Sequence, residues 1–132
     1  MARPSATPFT PDPAAARKRL LGQRGEDLAA RHLVRRGMLL VDRNWRCPAG
    51  EIDLVLRDGR VLVVCEVKTR SSTAFGSPLE GVSQAKADRL RRLASRWLRA
   101  HEVHVDDVRI DLVGVLAPPG GPVEIEHVEG VC

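Results

Sequence analysis

Aromatic side chains are scarce in this 132-residue chain, which has two tryptophans, two phenylalanines and no tyrosine. A core must therefore rest on Leu, Val, Ile and Ala, and a continuous row of stacking rings for single-stranded nucleic acid is not expected. Cysteine is scarce too, and the spacings of Cys47, Cys65 and Cys132 match no zinc or redox motif. The count favours a reducing cytoplasm. Cys65 alternates with valines, which predicts a small buried apolar side chain.

Long apolar runs are also missing. No stretch of about 18 apolar residues exists, so we expect no membrane-spanning helix and no membrane partner. The N-terminus lacks the apolar segment of a secretory signal, which again favours a cytoplasmic protein.

Basic residues are present in excess, with a formal net charge of +4, and 18 of the 21 basic side chains are arginine. Segments 17–36 and 78–101 carry seven and six basic residues against two acidic ones each, whereas 102–132 carries one against seven. Cationic surface concentrated in this way attracts polyanions such as nucleic acid, and the planar arginine fork suits phosphate. An arginine-rich genome with solvated helix faces would produce the same counts, and both interpretations stay open.

The chain divides into a proline-rich tail, residues 1–16, and one domain, residues 17–132. Periodicity predicts a helix over 17–36, strands over 38–45, 51–56 and 61–68, a helix that starts at a Ser77 cap and ends near residue 101, and strands over 108–116 and 123–128. The second helix is either continuous or broken near Gly81. The order helix, three strands, helix, two strands predicts an α/β domain with a mixed central sheet flanked by helices.

The predicted hairpin over 51–68 has one wholly apolar face, from Ile52 to Val67, and a second face that bears Glu51, Asp53, Glu66 and Lys68. A two-residue Asp58-Gly59 turn would pair Leu56 with Val61 and Glu51 with Glu66. Asp53 and Glu66 would then be diagonal neighbours. A one-residue change in register would move one strand's side chains to the other face.

Two carboxylates gathered in a partly covered place repel each other unless a cation compensates. Mg²⁺ prefers carboxylate oxygen and keeps waters for a substrate. Lys68 follows Glu66 on the same face and could orient a metal-bound water, so Asp53, Glu66 and Lys68 are the parts that phosphodiester hydrolysis needs. An exposed Glu–Lys pair on a polar strand face is the alternative interpretation.

Other residues could take part. Glu26 lies at the border of the first helix's apolar stripe and could face the sheet. Thr69 and Arg70 follow the hairpin directly and could hold a phosphate. Arg89, Arg92, Arg96 and Arg99 lie at helical spacing and either contact nucleic acid or form a solvated face. Trp45 could stack on a base, but it could equally cover a strand.

The motifs extend beyond the hairpin. They are Gly25-Glu26, Gly50-Glu51-Ile52-Asp53-Leu54-Val55, Glu66-Val67-Lys68-Thr69-Arg70 and Val108-Arg109-Ile110-Asp111. Over residues 17–117 this set resembles the YraN-like family of predicted endonucleases (uncharacterised protein family 0102), within the restriction-endonuclease-like PD-(D/E)xK superfamily. Ile52 stands where the broad motif names proline. The resemblance implies a restriction-endonuclease-like core.

By that resemblance, Asp53 and Glu66 would ligate Mg²⁺ or Mn²⁺ with the Val67 carbonyl as a third ligand, and Lys68 would act on the attacking water. Glu26 would match the helix glutamate that completes the site of archaeal Holliday-junction resolvases. The resemblance also implies that the helix residues just before the arginines, Gln84 and Lys86, face the site, with Lys86 as a substrate contact. It assigns no role to Glu51, and the dimeric resolvases suggest a homodimer by analogy.

The expected function is thus metal-dependent hydrolysis of phosphodiester bonds in DNA, including branched, single-stranded or otherwise structured DNA. The alternative is a non-catalytic nucleic-acid-binding module with the same fold. A protein-interaction scaffold, in which the basic helices face an acidic partner, is a further alternative.

Overall fold

The computed structural model describes residues 12–74, 76–79 and 82–131. The helices and strands within these residues follow the predicted order. They are α1 Pro13–Arg35, β1 Leu39–Cys47, β2 Gly50–Asp58, β3 Val61–Arg70, α2 Gln84–His101, β4 Asp107–Leu116 and β5 Glu124–Val128. Neither of these two helices combines the length and the apolar composition that crossing a membrane requires.

The described strands form one mixed sheet in the order β1-β2-β3-β4-β5. Neighbouring strands run antiparallel, except that β3 and β4 are parallel, from Val61 opposite Asp107 to Arg70 opposite Leu116. Parallel neighbours cannot be joined by a tight turn, and here the crossover between them contains α2. The predicted last strand, β5, lies at an edge of the sheet as expected.

The two helices cover opposite faces of the sheet. On the α1 side, Ala29 and Leu33 share a buried cluster with Leu54, Leu56, Val63, Cys65, Val113 and Val115. On the α2 side, Leu90, Leu93 and Trp97 share a second cluster with Ile52, Val55, Leu62, Val64 and Ile110. The middle strands are therefore apolar on both faces, as central strands covered on both sides must be. This confirms the predicted restriction-endonuclease-like α/β core, and it confirms that Cys65 is buried.

The predicted tail extends too far into the fold. Residues 1–11 lie outside the described residues, but α1 begins at Pro13 rather than at residue 17. Asp12 is the N-cap, its side chain accepting a hydrogen bond from the Ala14 N–H at 3.1 Å, and Pro13 occupies the first turn. Proline at this position favours a helix start, and the three alanines that follow propagate the helix.

The predicted start of the second helix is also wrong. Among the described residues, the Ser77 hydroxyl accepts a hydrogen bond from the nearby Leu79 N–H, at 3.3 Å, within a local turn. The cap of α2 is Ser83, whose hydroxyl accepts from the Lys86 N–H at 3.2 Å. Both serines precede a helical pattern, but the free N–H groups at the true helix end are those that Ser83 reaches. The predicted break at Gly81 falls outside the described residues.

Gly25 sets how closely α1 approaches the sheet. It is buried against β3, and a Cβ atom built at this position would lie 1.9 Å from the Thr69 hydroxyl oxygen. No larger residue fits without moving the helix or the strand. A Cβ atom built at Gly22, one turn earlier in α1, would have no neighbouring atom within 4 Å.

β4 carries a buried carboxylate that holds the last part of the chain. Asp111 is fully buried and accepts hydrogen bonds from Arg109 Nε at 2.8 Å and Nη2 at 3.0 Å, from His127 Nε2 at 2.8 Å and from the Gly130 N–H at 3.1 Å. Burial by itself would raise the pKa of Asp111, but these donors outweigh it and hold the pKa below its ordinary value. Arg109 and Asp111 therefore form a structural ion pair.

We expect Gly25→Ala to destabilise the protein by about 1–3 kcal/mol, because the added methyl overpacks the contact with Thr69. Gly22→Ala is the matched control in the same helix and should stabilise the protein by about 0.5–1 kcal/mol, since alanine is the better helix former. Urea denaturation of both variants measures the difference. Equal effects of the two substitutions would contradict the close approach at Gly25.

Asp111→Asn should lower the free energy of unfolding at pH 7 by about 3–5 kcal/mol, because it leaves the buried partners of the carboxylate uncompensated. The depressed pKa of Asp111 means that its stabilisation is complete above the pKa of the unfolded chain, near 3.8, and is lost as the pH falls through the lower folded value.

The difference between the wild type and Asp111→Asn should therefore stay constant down to about pH 4 and shrink below it, as followed by urea denaturation between pH 7 and pH 2.5. Asp106→Asn is the control, since Asp106 forms an exposed ion pair with Arg60 at 3.7 Å. A difference that grows on acidification would contradict this assignment.

Candidate functional site

Pairing between β2 and β3 ends before the strands do. The register runs from Asp58 opposite Val61 to Leu54 opposite Cys65, so the turn is Gly59-Arg60 and not the predicted Asp58-Gly59. This shift of two residues leaves every side chain of β3 on its predicted face, because strand faces alternate with a period of two. It changes the partners, so Glu51 does not face Glu66 as predicted.

Asp53 takes the place of a backbone partner just beyond the last pair. Its Oδ2 accepts a hydrogen bond from the Val67 N–H at 2.8 Å. Continuing the observed register would put Asp53 opposite Glu66. The predicted diagonal arrangement of this carboxylate pair is therefore wrong, and the correct register brings the two side chains to the same level of the hairpin.

The faces of β2 exchange at Asp53. Leu54 packs under α1 and Val55 under α2, as alternation requires, but Ile52 also packs in the α2-side cluster. We had expected Ile52 to share a face with Leu54. On β1, Asn44 lies between the residues that pair with Leu54 and Ile52, and its φ of 51° is in the left-handed region. The twist in both strands at this level lifts Asp53 out of the regular alternation.

α1 brings Glu26 to the same place. Glu26 follows Gly25 at the close contact with β3, and its Oε1 is buried with no hydrogen-bond partner among the described residues. Burial and the nearby charge of Asp53 raise the pKa of Glu26, while Arg43 and a hydrogen bond with Asn44 oppose the rise. A buried carboxylate oxygen without a donor is costly, which marks a place suited to a cation.

The carboxylates disturb each other's protonation. Burial, with the charges of Glu66 and Glu51, raises the pKa of Asp53 to about 6 against the opposing hydrogen bond from the Val67 N–H and the charge of Lys68. Asp53 is therefore held ionised at neutral pH against both desolvation and like charge. Glu51, whose role the sequence left open, contributes to the negative potential felt by Asp53 and Glu26.

α2 brings a lysine to the other side of the pair. Lys86 Nζ lies 3.1 Å from Glu66 Oε2, and both side chains are largely buried, with 23% and 14% exposed. Lys86 also contacts Lys68, and this contact, followed by burial, lowers the pKa of Lys68. The resemblance predicted a helix lysine facing the site, and the Ser83 cap at the start of α2 is what sets its position.

The remaining predicted residues lie around this group. Thr69 packs against Gly25 and is part of the contact between α1 and β3. Arg70 is exposed at the end of β3, its Nη1 donating to the Thr69 carbonyl at 3.4 Å. The arginines of the α2 stripe are exposed, namely Arg89, Arg92, Arg96 and Arg99. Their contacts with nucleic acid stay a prediction.

Sequence reasoning missed Asn44. It reaches Glu26 and adopts the positive φ at which β1 turns. Asparagine inside an apolar strand pattern was the available signal, because asparagine tolerates this conformation better than most residues. Within residues 12–74, 76–79 and 82–131, no three His, Cys, Asp or Glu side chains lie close enough together to form a ready-made metal site.

The site motifs coincide with the part of the chain that a family model matches. Residues 25–115 match the model described as "Uncharacterised protein family UPF0102". This match begins at Gly25, beside Glu26, and ends within β4, so it includes α1 from the close contact onward, the hairpin and α2.

Curated relatives carry the same family name. A UPF0102 protein of a Nocardioides species is 62% identical over 123 residues, which cover 93% of this chain and 99% of that protein. Similar proteins occur in Frankia alni, 57% identical over 86% of this chain and 94% of the relative, and in Streptomyces griseus, 58% identical over 84% and 94%. By the family model and by these relatives, the chain belongs to the UPF0102 family, a group of the PD-(D/E)xK nuclease type.

Proposed function

We propose that this protein is a metal-dependent nuclease that hydrolyses phosphodiester bonds in DNA. The observation that carries the proposal is the meeting of Asp53, Glu66 and Lys68 where the β2–β3 ladder stops, with Glu26 delivered from α1. Asp53 thus interacts electrostatically with Glu66 and Lys68 of β3 and with Glu26 of α1, which come from segments far apart in the chain. A fold alone needs no such collection of poorly neutralised carboxylates.

The donor set fits a divalent cation that prefers oxygen. Asp53 and Glu66 supply carboxylates, and the unpartnered Oε1 of Glu26 supplies another oxygen. The Val67 N–H points at Asp53, so the Val67 carbonyl, which points to the same side of an extended strand, faces the same gap. These four groups would hold Mg²⁺ or Mn²⁺, drawing together as the ion binds. The ion would supply positive charge to the scissile phosphate and its leaving oxygen.

Lys68 is suited to handle the attacking water. Its amine lies among Lys86, Glu66 and Asp53, as their mutual influence on its pKa indicates. The contact with Lys86 and burial lower the pKa of Lys68 from its ordinary value, against the opposing charges of Glu66 and Asp53. Its amine would orient the attacking water or stabilise its hydroxide form. Lys86 would hold the Glu66 carboxylate while the site is empty of substrate.

The charge distribution supports DNA as the substrate. Arg89, Arg92 and Arg96 extend from the site along α2, and Arg70 lies at the end of β3. Such side chains would neutralise phosphates on either side of the bond to be cleaved. Two copies acting on a symmetric junction would follow the dimeric resolvases by analogy, and a non-catalytic nucleic-acid-binding module is the competing function.

Incubation of the purified protein with branched, single-stranded and duplex DNA in Mg²⁺ or Mn²⁺ should yield cleavage products. Asp53→Ala, Glu66→Ala and Lys68→Ala should each lower the cleavage rate at least about 100-fold, since each removes a group that acts on the reacting atoms. Glu124→Ala, at an exposed position of β5, is the control and should leave the rate unchanged.

The proposal fails if none of these DNAs is cleaved while Asp53→Ala and Glu66→Ala bind Mn²⁺ as tightly as the wild type in a titration. DNA binding that survives Lys68→Ala, with no turnover in either protein, would favour the non-catalytic module.

Asp53→Asn should stabilise the metal-free protein at pH 7.5 by on the order of 1–2 kcal/mol, because it removes a charge that folding buries near Glu66 and Glu51. The folded carboxyl binds its proton more tightly than the unfolded one, with a pKa of about 6 against 3.8. The cost of the charge is thus absent below about pH 4 and complete above about pH 6. Urea denaturation in chelator should show the gain fading on acidification, and a loss of stability at pH 7.5 would contradict this account.

A further inference from the structure

The far end of α2 borders an open hollow of about 450 Å³ on the sheet side of the helix. Trp45 and Cys47 of β1 form one wall, and Arg96, Arg99 and Ala100 of α2 form the other. This recess thus brings together an aromatic ring and two guanidinium groups. Hydrolysis at Asp53 does not require them.

Trp45 is held rigidly while part of its ring stays open. It pairs with Ile52 across the β1–β2 ladder and packs at the border of the α2-side cluster, but it is only half-buried. The His101 ring contacts the Trp45 ring edge-on, with 6.1 Å between the ring centroids, and stacks on the Trp97 ring, with 4.2 Å between the centroids. Trp97 Nε1 in turn donates to Asp42 Oδ2 at 2.9 Å. A ring fixed in this way loses little conformational entropy when a ligand stacks on it.

The arginines beside Trp45 have no acidic partners. Within the described residues, neither Arg96 nor Arg99 forms an ion pair, and the same is true of Arg89 and Arg92. Acidic residues do occur at helical spacing, with Asp88 four residues before Arg92 and Glu102 three residues after Arg99, but among the described residues neither pairs with these arginines. Their guanidinium groups are therefore available to a polyanion.

The hollow lies near the proposed nuclease site, because Trp45 pairs with Ile52, the chain neighbour of Asp53. A second recess of about 400 Å³, lined by Lys86, Arg89 and Arg92 together with Ser83 and Ala85, lies at the start of α2, where Lys86 contacts Glu66.

We propose that Trp45, Arg96 and Arg99 form a subsite for one unpaired nucleotide close to the bond cleaved at Asp53 and Glu66. The base stacks on the Trp45 ring, and the guanidinium groups contact the adjoining phosphates. A base inside a duplex has both faces covered by its neighbours and cannot do this. The inference rests on the proposed nuclease function and assigns its substrate class as DNA with a single-stranded segment, such as a flap, overhang or opened branch.

Binding measured without divalent cation separates this subsite from catalysis. Fluorescence anisotropy in chelator would use a 20-nucleotide single strand, a 20-base-pair duplex, a duplex with a 10-nucleotide overhang and a single-stranded RNA. Trp45→Ala should weaken binding of the single strand and the overhang about 5- to 100-fold, the range for loss of one stacked base. Binding of the blunt duplex should change less than twofold.

Matched variants keep the result interpretable. Trp45→Phe retains a ring, so its affinity for the single strand should fall less than threefold. Val41→Ala, a truncation at an exposed apolar position of the same strand, should leave that affinity unchanged. Arg96→Ala and Arg99→Ala should each make the slope of log affinity against log salt concentration shallower for the single strand, by about the amount that one phosphate contact contributes. Thermal melting of every variant checks that the fold is retained.

Quenching of tryptophan fluorescence reports the contact directly. Single-stranded DNA should quench the wild type, and Trp45→Phe should abolish the quenching, because the remaining Trp97 is 1% exposed. The proposal is overturned if Trp45→Ala in a folded protein weakens single-strand and duplex binding equally, or weakens neither. Failure of cleavage in Mg²⁺ with this binding pattern intact would instead count against the nuclease function alone, and tighter binding of RNA than of DNA would overturn the choice of DNA.

Discussion

The side chain of Asp53 replaces a strand partner, and the rest of the candidate site depends on this one hydrogen bond. Where the β2–β3 ladder stops, Asp53 accepts the Val67 N–H that a backbone carbonyl would otherwise take. The two strands can then separate without leaving that N–H unpaired, which a buried strand end could not tolerate. At this gap the charge of Asp53 influences Glu26 of α1 on one side and Lys68 of β3 on the other, and Glu66 influences Asp53.

Two layers of helix make this gap unlike an ordinary sheet edge. α1 closes one side through the contact of Gly25 with Thr69, and α2 closes the other by pairing Lys86 with Glu66. The carboxylates are thus desolvated while they are still close to one another, and burial accordingly raises the pKa of both Asp53 and Glu26. Rigid neighbours hold this unfavourable arrangement, including the fully satisfied Asp111 cluster that fastens β5 and the following residues to β4.

Much of the architecture could be predicted because it follows from local periodicity. The alternation of β2 and β3 and the apolar stripes of the helices predicted the elements, their order and the faces of the hairpin that bear Asp53, Glu66 and Lys68. The errors lie where a local pattern has two solutions of similar energy. Asp58-Gly59 and Gly59-Arg60 are both plausible turns, and Ser77 and Ser83 are both plausible caps. The neighbouring strands and helices decide between them, since pairing with β1 and packing under α2 are long-range interactions.

The sequence by itself determined which chemical groups are present, which face of β3 they occupy and how the elements follow one another, because these depend on side-chain identity and on the periods of helix and strand. Only the tertiary structure decided that Asp53 and Glu66 share one level, that Asn44 and Asp53 mark a change of face, and that Lys86 reaches Glu66. Those features need a register, a left-handed residue and a helix packed across the sheet, which are set by contacts between segments distant in the chain. Trp45 is the same case: it is one aromatic residue in a strand until His101 and two arginines of α2 are packed beside it.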